Sequence, residues 1–116
     1  MTKRAKREAK APKGTRIEVS IKKQVLGQAP EEHHFVLKDG KRLASVLQLV
    51  DELETMSEDI FRHHVTFDKN DFSNWLRDVF KEPNLAEEMR HISEQMEAQR
   101  VLLKHVMRKI IKEAQS

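Results

Sequence analysis

The chain has 116 residues, of which 22 are Lys or Arg and 19 are Asp or Glu, and it has no Cys. This length predicts one compact domain with appendages and excludes a two-domain enzyme with a cofactor-binding fold. The lack of Cys excludes disulfide frameworks, thiolate metal sites and Cys nucleophiles. No apolar run approaches the length of a membrane span, so we expect a cytoplasmic protein without a membrane partner.

Residues 1–14 concentrate the positive charge. They carry six basic side chains and one acidic side chain, a net charge of +5, whereas residues 15–116 carry 16 basic and 18 acidic side chains, a net charge of −2. No aliphatic residue larger than Ala follows Met1 here, which predicts a flexible tail. Such arms bind DNA or RNA phosphates with little sequence preference. A purely solubilising tail, or one that binds an acidic protein or membrane surface, is the alternative. The predicted nucleic-acid contacts are Lys3, Arg4, Lys6, Arg7, Lys10 and Lys13.

Two short strands are predicted next. Residues 15–22 alternate apolar and polar side chains, which is typical of a strand with one buried face. Residues 33–37 form a second run, which Asp39-Gly40 ends as a turn. We expect the two strands to form an antiparallel hairpin that lies against helices or pairs with a second chain.

Helical periodicity fills the rest of the chain. An amphipathic helix is predicted over about 41 to 55. Ser57 is a good N-cap for a shorter second helix, and a third helix spans about 69 to 80 with Asp68 or Asn70 as its N-cap. The periodicity places Trp75 and the five Phe side chains on inward faces, as core residues.

The last predicted helix, over about 84 to 114, is the longest and follows a heptad pattern. It has more apolar residues than a domain this small can cover, because Val101, Leu102 and the residues after them would stay exposed on a monomer. We expect a homodimer, or docking on another protein, through Met96, Leu103, Val106, Met107 and Ile110. The alternative is that the helix bends back onto its own subunit.

Catalytic and metal-binding motifs are not found. Two pairs of His are adjacent in sequence, at 33–34 and 63–64, and adjacent side chains point apart. His64 is close in sequence to Asp68 and Asp71, but such a group is more often structural. There is no Gly-rich phosphate loop and no nucleophile elbow. We therefore expect no enzymatic activity, no metal or other cofactor and no small-molecule substrate.

Four stretches carry a resemblance to a known family: Phe35-Val-Leu-Lys-Asp-Gly40, Phe61-Arg-His-His-Val65, Asn70-Asp-Phe-Ser-Asn-Trp-Leu-Arg-Asp-Val79 and Leu85-Ala86. Together they resemble an uncharacterised prokaryotic family of small helical domains, over about residues 34–95. The resemblance implies no activity, because the family has no established function. It implies one unit formed by His64, Asn70, Asp71, Phe72, Trp75, Arg77 and Asp78. We expect a buried network that fixes the angle between two short helices; a surface that grips a partner is the alternative.

These features predict a mostly helical α+β fold with a short N-terminal β-hairpin, three short helices and one long, coiled-coil-like C-terminal helix. Residues 1–14 form the basic tail, 15–95 the domain, and 96–116 the distal half of the long helix, for oligomerisation or docking. The predicted function is a non-enzymatic, dimeric binding protein whose arms contact DNA or ribosomal RNA. The alternatives are an adaptor whose long helix docks on a larger enzyme or assembly, and a metal-dependent activity at His64 and nearby Asp residues.

Overall fold

The computed structural model describes residues 27–115. The predicted basic tail and the predicted strand over 15–22 lie outside these residues. A short 3₁₀ helix, Glu31–His33, comes before two strands and five α-helices. The predicted class, mostly helical with a short antiparallel sheet, is confirmed. The elements are β1 (Phe35–Val36), β2 (Arg42–Leu43), α1 (Val46–Thr55), α2 (Glu58–His64), α3 (Asp71–Asp78), α4 (Pro83–Arg90) and α5 (Gln95–Ala114).

The hairpin of the described residues is formed by β1 and β2. Phe35 pairs with Leu43 in an antiparallel register. Between the strands, the Gly40 N–H donates to the Leu37 carbonyl and the Leu37 N–H donates to the Lys41 carbonyl, each at 2.8 Å. Gly40 has a φ of +93°, which L side chains rarely adopt. The predicted turn at Asp39-Gly40 is therefore confirmed, and the partner of β1 comes from the chain directly after it.

The start of α1 corrects the prediction of a helix from about residue 41. Arg42 and Leu43 belong to β2, and the helix begins at Val46. Ser45 is extended and its hydroxyl accepts a hydrogen bond from the Gln48 N–H at 3.1 Å, which is the geometry of an N-cap. The hairpin and the cap together remove the first turn that periodicity alone assigned to the helix.

Polar caps begin the next two helices. The Ser57 hydroxyl accepts from the Ile60 N–H at 3.2 Å, as predicted. Asn70, and not Asp68, caps α3, since its side-chain oxygen accepts from the Ser73 N–H at 3.0 Å. A bridge between Val65 and Asn70 closes the short loop that joins the two helices. This loop brings the end of α2 beside the start of α3.

The predicted long helix is two helices, α4 and α5, because the helical conformation is interrupted over residues 91–94. In a continuous helix the Met89 carbonyl would accept from the N–H four residues later. It accepts instead from the Ile92 N–H at 3.0 Å and from the Asn70 side chain at 2.9 Å. The Ser93 carbonyl accepts from Arg62 at 2.7 Å. Contacts with α2 and α3 thus stabilise a break that the heptad pattern does not indicate.

The core lies between the hairpin and the inner faces of all five helices. After the break, α5 packs along α1, and the Gln95 side chain donates to the Leu53 and Met56 carbonyls at 2.9 and 2.7 Å. These bonds satisfy carbonyls at the end of α1, which have no partner within the helix. The most deeply buried apolar side chains are Leu37, Leu49, Leu53, Phe61, Phe72, Leu76, Met89 and Leu102.

Candidate functional site

His64 lies at the end of α2 with 5% of its surface exposed. Its Nε2 accepts a hydrogen bond from the Lys38 N–H at 3.1 Å, so the ring proton is on Nδ1. Nδ1 lies 3.1 Å from Oδ2 of Asp71 and donates to it. Both ring nitrogens are therefore engaged, and the imidazole joins the hairpin turn to the start of α3.

Burial and partners shift the titration of this pair. Burial lowers the pKa of His64 below its ordinary value of 6.5, and the hydrogen bond to Asp71 opposes that shift. Burial acts to raise the pKa of Asp71, but hydrogen bonds from Lys69 and His64 outweigh it and lower this pKa overall. Near neutral pH the pair is thus a neutral imidazole beside an ionised carboxylate. In this state the imidazole accepts from the Lys38 N–H and donates to Asp71, and both bonds stabilise the fold.

Asn70 and Ser73 connect α3 to α4. Besides capping α3, Asn70 donates to the Met89 carbonyl at 2.9 Å. The Ser73 hydroxyl donates to the Ala86 carbonyl at 2.6 Å. Both side chains are buried, so these bonds compensate the cost of removing polar groups from water.

Trp75 connects α3 to the segment before β1. Its indole N–H donates to the His33 carbonyl at 2.8 Å, and its ring meets Phe35 and Phe80 edge to face at 5.5 and 4.9 Å. These contacts favour a structural role for Trp75. The inward placement predicted for the Phe side chains is wrong for Phe67, which is fully exposed in the turn after α2.

Five of the seven residues in the family pattern meet in this network, but Arg77 and Asp78 do not join it. Both are exposed, and they pair with each other at 2.9 Å. Asp68 also stays apart, with its carboxylate accepting from the Thr66 hydroxyl. Within residues 27–115 no group of three or more His, Cys, Asp or Glu side chains is placed to hold a metal ion. The residues brought together are His64, Asn70, Asp71, Phe72 and Trp75.

The predicted oligomer interface on α5 divides between the core and the surface. Val106 is buried in its own subunit, at 3% exposure, and is therefore removed from the interface; Val101 and Leu102, expected to be exposed, are also buried. The exposed part is called the apolar stripe. It consists of Met96 (53%), Leu103 (43%), Met107 (52%), Ile110 (36%) and Ile111 (53%).

Charged side chains, which were not among the predicted site residues, flank the apolar stripe. Arg100, Lys104 and Arg108 follow one another at a spacing of four on α5 and form a basic edge. Arg100 pairs with Glu97, whereas Lys104 and Arg108 form no ion pair within the described part of the chain. Counting charge helix by helix, rather than over the whole chain, is the signal that identifies this edge.

On its other side the stripe borders α1. The Gln99 side chain donates to the Val50 carbonyl at 3.1 Å and to Glu54 Oε1 at 2.9 Å. Asp51 shares the exposed face of α1 with Glu54, and the two form an acidic edge. This edge and Leu47 line one side of an open cavity of about 1280 Å³, whose wall also includes Gly27 and Leu43.

The six basic residues proposed as nucleic-acid contacts lie outside the described residues. No helix within residues 27–115 combines the length and the apolar character that crossing a bilayer requires. No family model, curated protein or solved structure matches the chain. The resemblance over residues 34–95 stays a prediction.

Proposed function

We propose that this chain is a non-enzymatic binding protein that self-associates through α5 and contacts DNA or ribosomal RNA through its basic N-terminal arm. The observation that supports the proposal is the apolar stripe. Five large apolar side chains follow one face of α5, each at least 36% exposed. A contiguous apolar surface of this kind typically marks an interface in a small domain.

The hydrogen bonds of His64, Asn70, Ser73 and Trp75, here called the polar cluster, support the non-enzymatic part of the proposal. Asn70, Ser73 and the Trp75 indole bond to main-chain groups, and both nitrogens of His64 are engaged. A general base or nucleophile needs a free position toward a substrate. The polar groups of this cluster instead form hydrogen bonds with main-chain groups, which is typical of a structural role.

Charge supports the assignment of nucleic-acid contact to the arm. Residues 27–115 carry 13 basic and 17 acidic side chains, a net charge of −4, against +5 for residues 1–14. A polyanion such as DNA or RNA is repelled by the negative charge of residues 27–115 and attracted by the positive charge of residues 1–14. Self-association would bring two arms to one nucleic acid, and the second contact then gains by effective concentration.

A salt series tests this function. Binding of the full chain to generic duplex DNA and to purified ribosomes is measured between 50 and 300 mM KCl, beside a variant in which all six basic residues of the arm are Gln. One arm that neutralises about five phosphates predicts a slope of log K against log salt near −4.5 for duplex DNA. The Gln variant keeps the chain length and should lose most of this slope. Equal affinity and equal slope for both proteins would refute nucleic-acid contact through the arm.

An adaptor function is the second candidate, and the basic edge favours it. Lys104 and Arg108 lie beside the apolar stripe without an ion pair inside the described chain. An amphipathic helix of a larger assembly, with acidic flanks, would complement this surface. Co-purification from the native host, with and without nuclease, separates the two functions. Nuclease removes partners held through nucleic acid and leaves those held through α5.

A further inference from the structure

Two adjacent helices of the described chain carry opposite charge. Helix α1 has three acidic residues and no basic residue, a net charge of −3. Helix α5 has five basic and two acidic residues, a net charge of +3. Because α1 and α5 pack side by side, one surface of the molecule presents acidic, apolar and basic groups together. Glu52 and Lys109 do not add to its charge, since they pair within the chain with Lys41 and Glu82.

The hydrogen bonds of two Gln side chains set the order of these groups. Gln95 bonds to carbonyls at 53 and 56, and Gln99 bonds to the carbonyl at 50, so α1 and α5 run antiparallel. At 100° per residue, Gln99 and Arg100 lie on opposite sides of Leu103 on the surface of α5. Gln99 contacts α1, so the basic edge is on the side away from α1. The order across the surface is acidic edge, apolar stripe, basic edge, and the last two interleave where Arg100 lies beside Met107 and Ile111 lies between Arg100 and Lys104.

This order distinguishes the two ways in which identical copies can pair face to face. A two-fold axis parallel to α5 brings the acidic edge of each copy against the basic edge of the other, on both sides of the stripe. An axis perpendicular to α5 makes the helices antiparallel and places like charges together, which is unfavourable. We infer that the partner of this surface is a second copy of the chain, in parallel two-fold orientation, with α1 of each copy against α5 of the other. The inference rests on the self-association proposed above and specifies its geometry.

The apolar residues of the stripe have the spacing of a parallel coiled-coil seam, but the seam is too short to hold two copies together without the flanking charges. Leu103, Met107, Ile110 and Ala114 follow at intervals of four, three and four, which is a heptad seam displaced by one residue from the predicted Val106. The same register places Arg100 at the seam position before Leu103, so the apolar part of the seam begins at Leu103. Coiled-coil seams that stand alone typically extend over at least three or four heptads. This seam is shorter, so the contacts between α1 and α5 of different copies have to contribute.

Single cysteines test the orientation, since the chain has no Cys of its own. Met96→Cys and Ile110→Cys place thiols at two ends of the stripe, about 21 Å apart at 1.5 Å per residue. In a parallel pair each variant alone cross-links to a dimer with a short bifunctional maleimide. In an antiparallel pair only a mixture of the two variants cross-links efficiently. Phe67→Cys, fully exposed outside the stripe, is the matched control and should cross-link only at the collisional level.

Charge reversal tests the contact between α1 and α5 of different copies. Asp51→Lys and Arg100→Glu reverse two exposed side chains that lie at nearly the same level of the parallel dimer, since Val50 lies beside Gln99 in each copy. Each should raise the dimer dissociation constant about fivefold, as for charge pairs at an interface rim. The double variant should restore it to within about twofold. Dissociation constants come from sedimentation equilibrium on the full chain, with circular dichroism to verify folding.

The outcomes separate this inference from the proposed function. Cross-linking of each variant alone, with rescue in the double reversal, supports the parallel dimer. Efficient cross-linking only in the mixture, or a double variant as weak as its singles, overturns the parallel geometry and leaves self-association in place. A particle mass equal to the 13.6 kDa chain at every concentration overturns both.

Discussion

Truncation of Trp75 tests whether the polar cluster is structural. The side chain is 7% exposed, packs edge to face on Phe35 and Phe80, and donates to the His33 carbonyl. Removing a buried Trp side chain typically lowers the free energy of unfolding by about 3–5 kcal/mol. A domain of this size has about 5–15 kcal/mol in total. We therefore expect Trp75→Ala to lose a large fraction of its stability.

Trp75→Phe is a milder change at the same site. It keeps an aromatic ring against Phe35 but loses the indole N–H and part of the ring volume, so the expected cost is about 2–3 kcal/mol, below that of Trp75→Ala. Phe67→Ala, at a fully exposed ring, is the control and should change stability by less than about 0.5 kcal/mol.

Urea unfolding followed by circular dichroism measures these changes. A shift of the midpoint at constant slope reports stability alone. In the natural chain Trp75 is the only Trp and there is no Tyr, so intrinsic fluorescence reports directly on this junction. An unchanged midpoint for Trp75→Ala, or a loss in Phe67→Ala as large as in Trp75→Ala, would refute the structural role.

Two further predictions concern the same cluster. Because burial lowers the pKa of His64 below its ordinary value of 6.5, the unfolded chain takes up a proton before the folded chain does on acidification. Stability is therefore full above pH 6.5 and falls as the pH drops below that value; urea midpoints at pH 7.5 and 5.5 measure this, and a flat profile would contradict it. Asn70→Ala removes the cap of α3 and the bond to Met89, and should cost about 2–3 kcal/mol in the same assay. Asn70→Ser retains a side-chain oxygen that can cap α3, without a charge, and should cost less, so equal losses would argue against the cap.

Short-range chemistry is what the sequence allowed us to predict. The turn at Asp39-Gly40 and the N-cap at Ser57 depend on contacts within a few residues, and both are confirmed. The choice of Asn70 over Asp68 was open, because both residue types cap helices well. Asn70 alone also reaches the Met89 carbonyl, 19 residues away, a contact that local pattern does not contain.

The misplaced elements depend on contacts that are distant in sequence. The heptad pattern passes through residues 91–94 without interruption, but Arg62 bonds to the Ser93 carbonyl and α5 turns to pack on α1. This packing also explains Val106, which faces the core once the helix is redirected. The apolar residues of α5 therefore form two faces, one packed inside the subunit and one exposed. The single predicted seam wrongly combined residues of both faces, such as Val106 and Leu103.

The cluster at Trp75 was only partly predictable for a related reason. The resemblance selects residues by their positions in the sequence, whereas burial in the folded chain determines which of them contact one another. His64 and Trp75 face the core, and the exposed Arg77 and Asp78 at the end of α3 are occupied with each other. The acidic and basic edges beside the stripe were missed because the total charge of +3 conceals them.

Resolved along the chain, that total connects the two proposals. Residues 1–26 carry a net charge of +7, residues 27–94 carry −7, and α5 carries +3. The described body is therefore acidic apart from α5, so it would repel a polyanion, and the attraction would have to come from the basic residues outside it. If two copies pair through α5, two basic arms are available to one nucleic acid, and the second contact gains by effective concentration.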